Sequence, residues 1–78
     1  MTLRVRYFAA AADAAGVDEE ERVETTLDAL RSAVVTAHPA LAAILPRCSV
    51  LVDGVRTTGD APLDDVALVD VLPPFAGG

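Results

Sequence analysis

The chain has 78 residues, 53% of them hydrophobic, and 12 acidic side chains against six basic ones give a net charge of −6. A chain this short buries roughly 60–65% of its unfolded surface, enough for one modest core and too little for a thick-walled catalytic cleft. The acidic balance argues against nucleic acid or an anionic membrane as partner and favours a partner with a basic surface.

Leu3 to Phe8 alternates apolar residues with Arg4 and Arg6, the pattern of a strand with one buried face. Two arginines before an apolar run imitate a signal peptide, but Asp13 interrupts the run and the alternation is that of a strand, so the segment reads as mature protein. Ala9 to Ala15 is a short helix former, closed by Gly16 as a left-handed C′ residue. Glu19 to Glu24 is acidic and reads as a short edge strand, where charge discourages edge-to-edge pairing.

Thr25 or Thr26 can cap the next helix, in which Leu27, Leu30 and Val34 form one apolar stripe. Pro39 ends that pattern after His38, and Leu41 to Leu45 makes a short apolar turn before Pro46. In Ser49–Arg56 an Asp53-Gly54 pair sits between apolar runs, the preferred pair for a type I′ hairpin. A looser stretch with Gly59 and Pro62 follows. Ala67 to Leu72 is β-rich and largely apolar on both faces, which places it centrally in a sheet. The order is strand, minor helix, strand, main helix, hairpin, last strand. Setting the first and last strands side by side gives an α+β roll: a ubiquitin-like β-grasp with a mixed sheet and one main helix across it. The domain spans residues 1–72, and 73–78 form an extended tail.

A conventional active site is hard to assemble. His38 stands alone and reads as a solvated or capping residue rather than a metal ligand; no metal site is expected. Cys48 shares the alternating face of Val50 and Val52 and reads as a half-buried structural thiol. Being the single cysteine, it allows no internal disulfide, and a reducing cytoplasm is the default location. Glu19, Glu20 and Glu21 are consecutive and read as a solvated face, while Asp64 and Asp65 serve a turn. No stretch approaches the ~20 apolar residues of a membrane span, and Gly-rich phosphate loops are absent. All six basic residues are arginine. A compositional bias that also yields the many alanines accounts for this; so would a C-terminus that becomes an activated acyl group and must avoid amines.

The end of the chain remains: Leu72-Pro73-Pro74-Phe75-Ala76-Gly77-Gly78. The two prolines stop the sheet and hold the chain extended, since each ring fixes φ near −65° and removes a donor. Six residues beyond Leu72 can reach about 20 Å. Two glycines would pass a channel too narrow for any side chain, leaving the Gly78 carboxylate as the group at the tip.

Pro62 to Gly78 resembles the C-terminus of the MoaD/ThiS family of ubiquitin-like sulfur carriers, and within it the small subunits of molybdopterin synthases. Arg4 to Ala9 with Ala15-Gly16, the helix entry Thr26 to Arg31 and the Val52-Asp53-Gly54 turn fit the same family in the same order, so the resemblance spans essentially the whole chain. Phe75 departs from it, standing where members usually carry a smaller residue. The resemblance implies a sulfur carrier whose Gly78 is adenylated and converted to a thiocarboxylate. It implies two partners: a ubiquitin-activating-type (MoeB-like) adenylating enzyme, which uses the ATP, and the large catalytic (MoaE-like) subunit of molybdopterin synthase. No cofactor would be bound by the chain itself. Gly78 then carries the chemistry, while Leu72, Pro73, Pro74, Phe75, Ala76 and Gly77 meet the partner. A carrier for thiazole or cysteine synthesis, a protein-conjugation tag and a binding module with an inert end stay open beside it.

Overall fold

The computed structural model describes residues 2–74. Five strands form one mixed sheet: β1 Leu3–Tyr7, β2 Glu19–Arg22, β3 Ser49–Val52, β4 Val55–Arg56 and β5 Leu68–Leu72, in spatial order β2-β1-β5-β3-β4. The first and last strands lie side by side and parallel, with Val5 opposite Val69 and Tyr7 opposite Val71, while the other three pairings are antiparallel. This is the expected β-grasp, and its central strand β5 is the one that leads into the tail.

Alternation decides what each face does. Leu3, Val5 and Tyr7 of β1 and Val69 and Val71 of β5 are buried on one side, where helix α2 (Leu27–Ala37) covers them with Leu27, Leu30 and Val34. The Thr26 hydroxyl caps α2 by accepting from the Ala29 N–H at 3.2 Å, which settles the choice between the two threonines. Leu41 and Leu45, from the two 3-10 turns Pro39–Ala43 and Leu45–Arg47, complete the core. Burying a leucine side chain such as Leu41, at 0% exposure, contributes about 1.5–3 kcal/mol.

Two turns need backbone that most residues avoid. Helix α1 (Ala10–Ala15) closes on Gly16 at φ 76°, whose N–H returns to the Ala12 carbonyl. The β3–β4 hairpin turns through Asp53 at φ 47° and Gly54 at φ 83°, the two positive angles a type I′ turn requires. Asp53 does more than turn: its carboxylate accepts from the Leu68 N–H at 2.9 Å and from the Ala67 N–H at 3.1 Å, and its own N–H donates to the Leu68 carbonyl. The hairpin therefore fixes where β5 begins.

The acidic edge strand is where expectation and structure part. Glu19 and Glu21 are exposed, as expected, but Glu20 sits opposite Val5 on the helix side and is half-buried. In a strand, consecutive residues alternate faces, so three glutamates in a row cannot all be solvated. His38, expected to be solvated or capping, does take the C-cap of α2, with its N–H on the Val34 carbonyl. Its ring, however, is half-buried against Glu20.

Candidate functional site

Among the described residues, the sheet face away from α2 carries no helix. Strand register places on it Glu19 and Glu21 from β2, Arg4 and Arg6 from β1, Leu68, Asp70 and Leu72 from β5, Ser49 and Leu51 from β3, and Arg56 from β4. Arg4 pairs with Glu19 and Glu21 at the acidic edge. In the centre Arg6 makes a two-pronged bridge to Asp70, Nε to Oδ1 at 2.7 Å and Nη2 to Oδ2 at 2.9 Å. Asp70 is the sole buried charged residue among those described, and this hydrogen bond holds the Arg6 guanidinium above its already high ordinary pKa. The guanidinium carbon also lies 5.6 Å from the centre of the Phe8 ring. A flat patch results: Phe8, Leu51, Leu68 and Leu72 around one clamped ion pair.

The tail leaves from this patch. Leu72, opposite Ser49 of β3, is half-buried, Pro73 is buried and Pro74 is exposed. The ladder on the other side of β5 is extended past β1 by Phe8, whose N–H donates to the Val71 carbonyl at 3.1 Å. Thus β5 is gripped on both sides up to the point where the prolines begin. Of the expected site residues, Leu72, Pro73 and Pro74 stand together at the root of the tail; Phe75, Ala76, Gly77 and Gly78 lie outside the described residues.

The helix side holds a second polar group that sequence reading missed. Glu20 Oε2 accepts from the Tyr7 hydroxyl at 2.6 Å and lies 2.7 Å from His38 Nε2, and the Tyr7 and His38 rings meet edge to face at 6.0 Å. Burial pushes the Glu20 carboxyl up, but the hydrogen bonds from Tyr7 and His38, with the charges of His38 and Arg22, outweigh it and hold it below the ordinary value. Burial raises the Tyr7 hydroxyl, and the bond to Glu20 raises it further. Beside them Arg22 clamps Glu24 with bonds of 2.9 and 3.0 Å, which lowers the Glu24 carboxyl. The signal that could have found this group is parity along the strand: Tyr7, Glu20 and Arg22 all fall on the core-facing side.

Neither group is a catalytic constellation, and no cluster of three His, Cys, Asp or Glu able to hold a metal occurs among the described residues. A groove of about 790 Å³ runs between α2, the 3-10 turns and β3, lined by Val35, Leu45, Pro46, Cys48 and Val50 among others. Its thiol is half-buried, donates to the Ile44 carbonyl at 3.3 Å, and is pushed up by burial, in keeping with a structural cysteine. No helix among the described residues is long and apolar enough to cross a membrane.

Comparison with known proteins places this geometry. The model of the ThiS family matches residues 5–78. The chain belongs to that family. A molybdopterin synthase sulfur carrier subunit of Chlamydomonas reinhardtii is 31% identical over an alignment of 85 positions that covers all of both chains. Among solved structures, a Pyrococcus furiosus protein assigned as molybdopterin converting factor subunit 1 superposes with a TM-score of 0.85 at 26% identity, covering 96% of this chain and 99% of that one. SAMP1 of Haloferax volcanii (TM-score 0.84) and the complex of subunits 1 and 2 of molybdopterin-converting factor from Helicobacter pylori (0.75) each cover both chains fully at 24% identity, which speaks for the fold alone.

Proposed function

We propose that this ThiS-family chain is the sulfur carrier subunit of a molybdopterin synthase, working through the carboxylate of Gly78. The observation that carries the reading is where the tail starts. The central strand β5 is held by β1 and β3 and runs straight into Pro73-Pro74, at the margin of an uncovered sheet face. The full-length likeness to the Chlamydomonas reinhardtii sulfur carrier subunit supports this reading.

A carboxylate is a poor electrophile, so the Gly78 oxygen first takes AMP from ATP on an adenylating enzyme, releasing pyrophosphate. Sulfur from a donor then displaces AMP, leaving a thiocarboxylate. This species is both nucleophile and cargo, and the large synthase subunit passes its sulfur to a pyranopterin precursor. The domain of residues 1–72 contributes positioning. It docks through the open sheet face, with Leu72, Pro73 and Pro74 at the margin and Phe75 beyond them. Ala76 and Gly77 carry no bulk into the partner's channel. ATP belongs to the adenylating enzyme and no cofactor stays on this chain.

Intact mass tests the reading. The protein, with and without Gly78, is incubated with a ubiquitin-activating-type enzyme, ATP and a sulfide source. Exchange of oxygen for sulfur adds about 16 Da, so thiol-selective alkylation separates it from oxidation. The reading stands if the sulfur-type shift needs Gly78, and falls if the terminus stays a carboxylate with every such enzyme. An isopeptide-linked target would instead mark a conjugation tag.

A further inference from the structure

We propose that the partner covering the open sheet face is a protein surface that brings an aspartate or glutamate carboxylate onto Arg6, set among apolar residues that meet Phe8, Leu51, Leu68 and Leu72. Arg6 is then the specificity-determining residue of the face. The inference rests on the reading of that face as the docking surface for the large synthase subunit.

The observation that carries it is what the Arg6–Asp70 clamp leaves over. A guanidinium is planar and holds five N–H donors in a fixed fork. Asp70 takes one donor from Nε at 2.7 Å and one from Nη2 at 2.9 Å, and so fills the edge these two nitrogens share. Of the five donors two are taken and three remain, and among the described residues no other acceptor reaches them. Two of the three lie parallel on the outer edge between Nη1 and Nη2, the arrangement that matches both oxygens of a second carboxylate.

Burial tells the two ends of the clamp apart. Asp70 is 7% exposed, whereas the Arg6 side chain keeps 42% of its surface in water. The pair is neutral as a whole, yet what a partner touches is its positive end. That end is also held in place. Asp70 lies directly opposite Arg6 in the parallel ladder, and the Phe8 ring, on the same face, has its centre 5.6 Å from the guanidinium carbon. A donor edge fixed in advance loses little freedom when it binds.

A wholly apolar cover would strip water from the remaining donors and return nothing, which opposes docking. A carboxylate restores both bonds of the outer fork and matches the charge. The rim of the face is built the other way round: Arg4 already reaches Glu19 and Glu21, so the β2 edge offers carboxylates while the centre offers donors. The partner surface is the complement of this pattern, acidic opposite Arg6 and basic opposite the β2 edge. A second copy of this chain fits less well, because its central carboxylate is buried and already bonded, and its edge glutamates are paired with Arg4.

The test is calorimetric titration of the full chain with the large molybdopterin synthase subunit of the same organism. The double variant Arg6→Leu/Asp70→Leu removes the fork and the buried carboxylate together, so no charge is orphaned in the chain, and a denaturant titration checks its fold. It should bind about ten- to a hundredfold more weakly than wild type, because the partner's carboxylate is then covered by leucine. Arg6→Lys, a point charge in place of a fork, should fall between the two. Changing the partner's interfacial acids one at a time to Asn or Gln should find one whose effect is not additive with that of Arg6→Lys. Double-variant binding as tight as wild type, or no partner acid whose replacement weakens binding, would overturn the proposal and leave the docking reading intact. Failure of wild type to bind the subunit at all strikes the docking reading, and the proposal with it. Dimerisation of the wild-type chain in sedimentation, lost in the double variant, would overturn the proposal by making a second copy the occupant.

Discussion

The two sides of the sheet hold comparable polar clamps in opposite surroundings. On the open face Arg6 and Asp70 bridge the two central strands, and the Arg6 side chain keeps 42% of its surface in water. On the helix side Glu20 joins the edge strand β2 to the end of α2, with both Glu20 and His38 about one-fifth exposed. The first clamp lies on a patch that a partner can cover, with its Arg6 end partly in water and its Asp70 carboxylate buried. The second closes the seam between sheet and helix, where water cannot readily substitute. Similar chemistry serves display in one place and cohesion in the other.

The sharpest way to break that contrast is one substitution made on each side. Leu41→Ala, under α2 at 0% exposure, should destabilise the fold by about 2–5 kcal/mol, because the cavity adds to the lost transfer energy. Leu72→Ala, half-buried at the tail root, should cost roughly 1 kcal/mol or less in a denaturant titration. Under the proposed function its larger effect should fall on affinity for the large synthase subunit. Equal destabilisation by the two would mean that the open face is part of the core.

Next in size are the clamps themselves. Glu20→Ala removes the acceptor of the Tyr7 hydroxyl, on a residue only 3% exposed, and should cost about 1–3 kcal/mol. Asp70→Ala leaves Arg6 unpaired but partly in water, and should cost about 1 kcal/mol or less. Reversal of that order, read from denaturation midpoints, would reverse the assignment of display and cohesion.

Much of the fold could be read from the chain because it rests on local rules. The Asp53-Gly54 pair, the stripe of Leu27, Leu30 and Val34, and the alternation in β1 each state their own geometry. Asp70 and Glu20 did not, because their roles depend on neighbours 64 and 13 residues away, Arg6 and Tyr7. The partner of a buried carboxylate is set by strand register, which a single sequence does not display. The root of the candidate site was visible for a different reason: the prolines that stop β5 act on their own backbone. The lower-lying surprise, Asp53 holding Ala67 and Leu68, combines both cases, a local turn signal with a distant partner.

Acid should sharpen the contrast further. Glu20 and Glu24 are both held below the ordinary glutamate value of 4.5 in the folded chain. A carboxyl with a lowered folded pKa contributes its stability above the unfolded value and loses it as pH falls through the folded one. Stability should therefore be level above about pH 5 and decline below 4.5, with Glu20→Gln flattening part of that decline. Tyr7 acts at the other end: its raised hydroxyl contributes below the ordinary value of 10 and loses that contribution as pH rises above it. Tyr7→Phe should shrink the alkaline loss, the remainder coming from the Cys48 thiol, which burial also raises. A decline of the same depth in Glu20→Gln as in wild type would show that the helix-side clamp does not carry the acid response.

The smallest effect should come from the exposed rim. Arg4, with its side chain 46% exposed, pairs with Glu19 and Glu21, which are 48% and 62% exposed. Pairs so open to water are screened and lose side-chain entropy on forming, so Arg4→Gln should change stability by no more than about 0.5 kcal/mol. It also leaves Glu19 and Glu21 at the acidic edge without their arginine. Association with a partner whose surface is basic should then become faster at low salt, and the gain should vanish near 1 M salt, where the Debye length is about 3 Å. Slower association in Arg4→Gln would mean that the partner presents acid to this rim. The display side would then be read by its arginines rather than by its carboxylates.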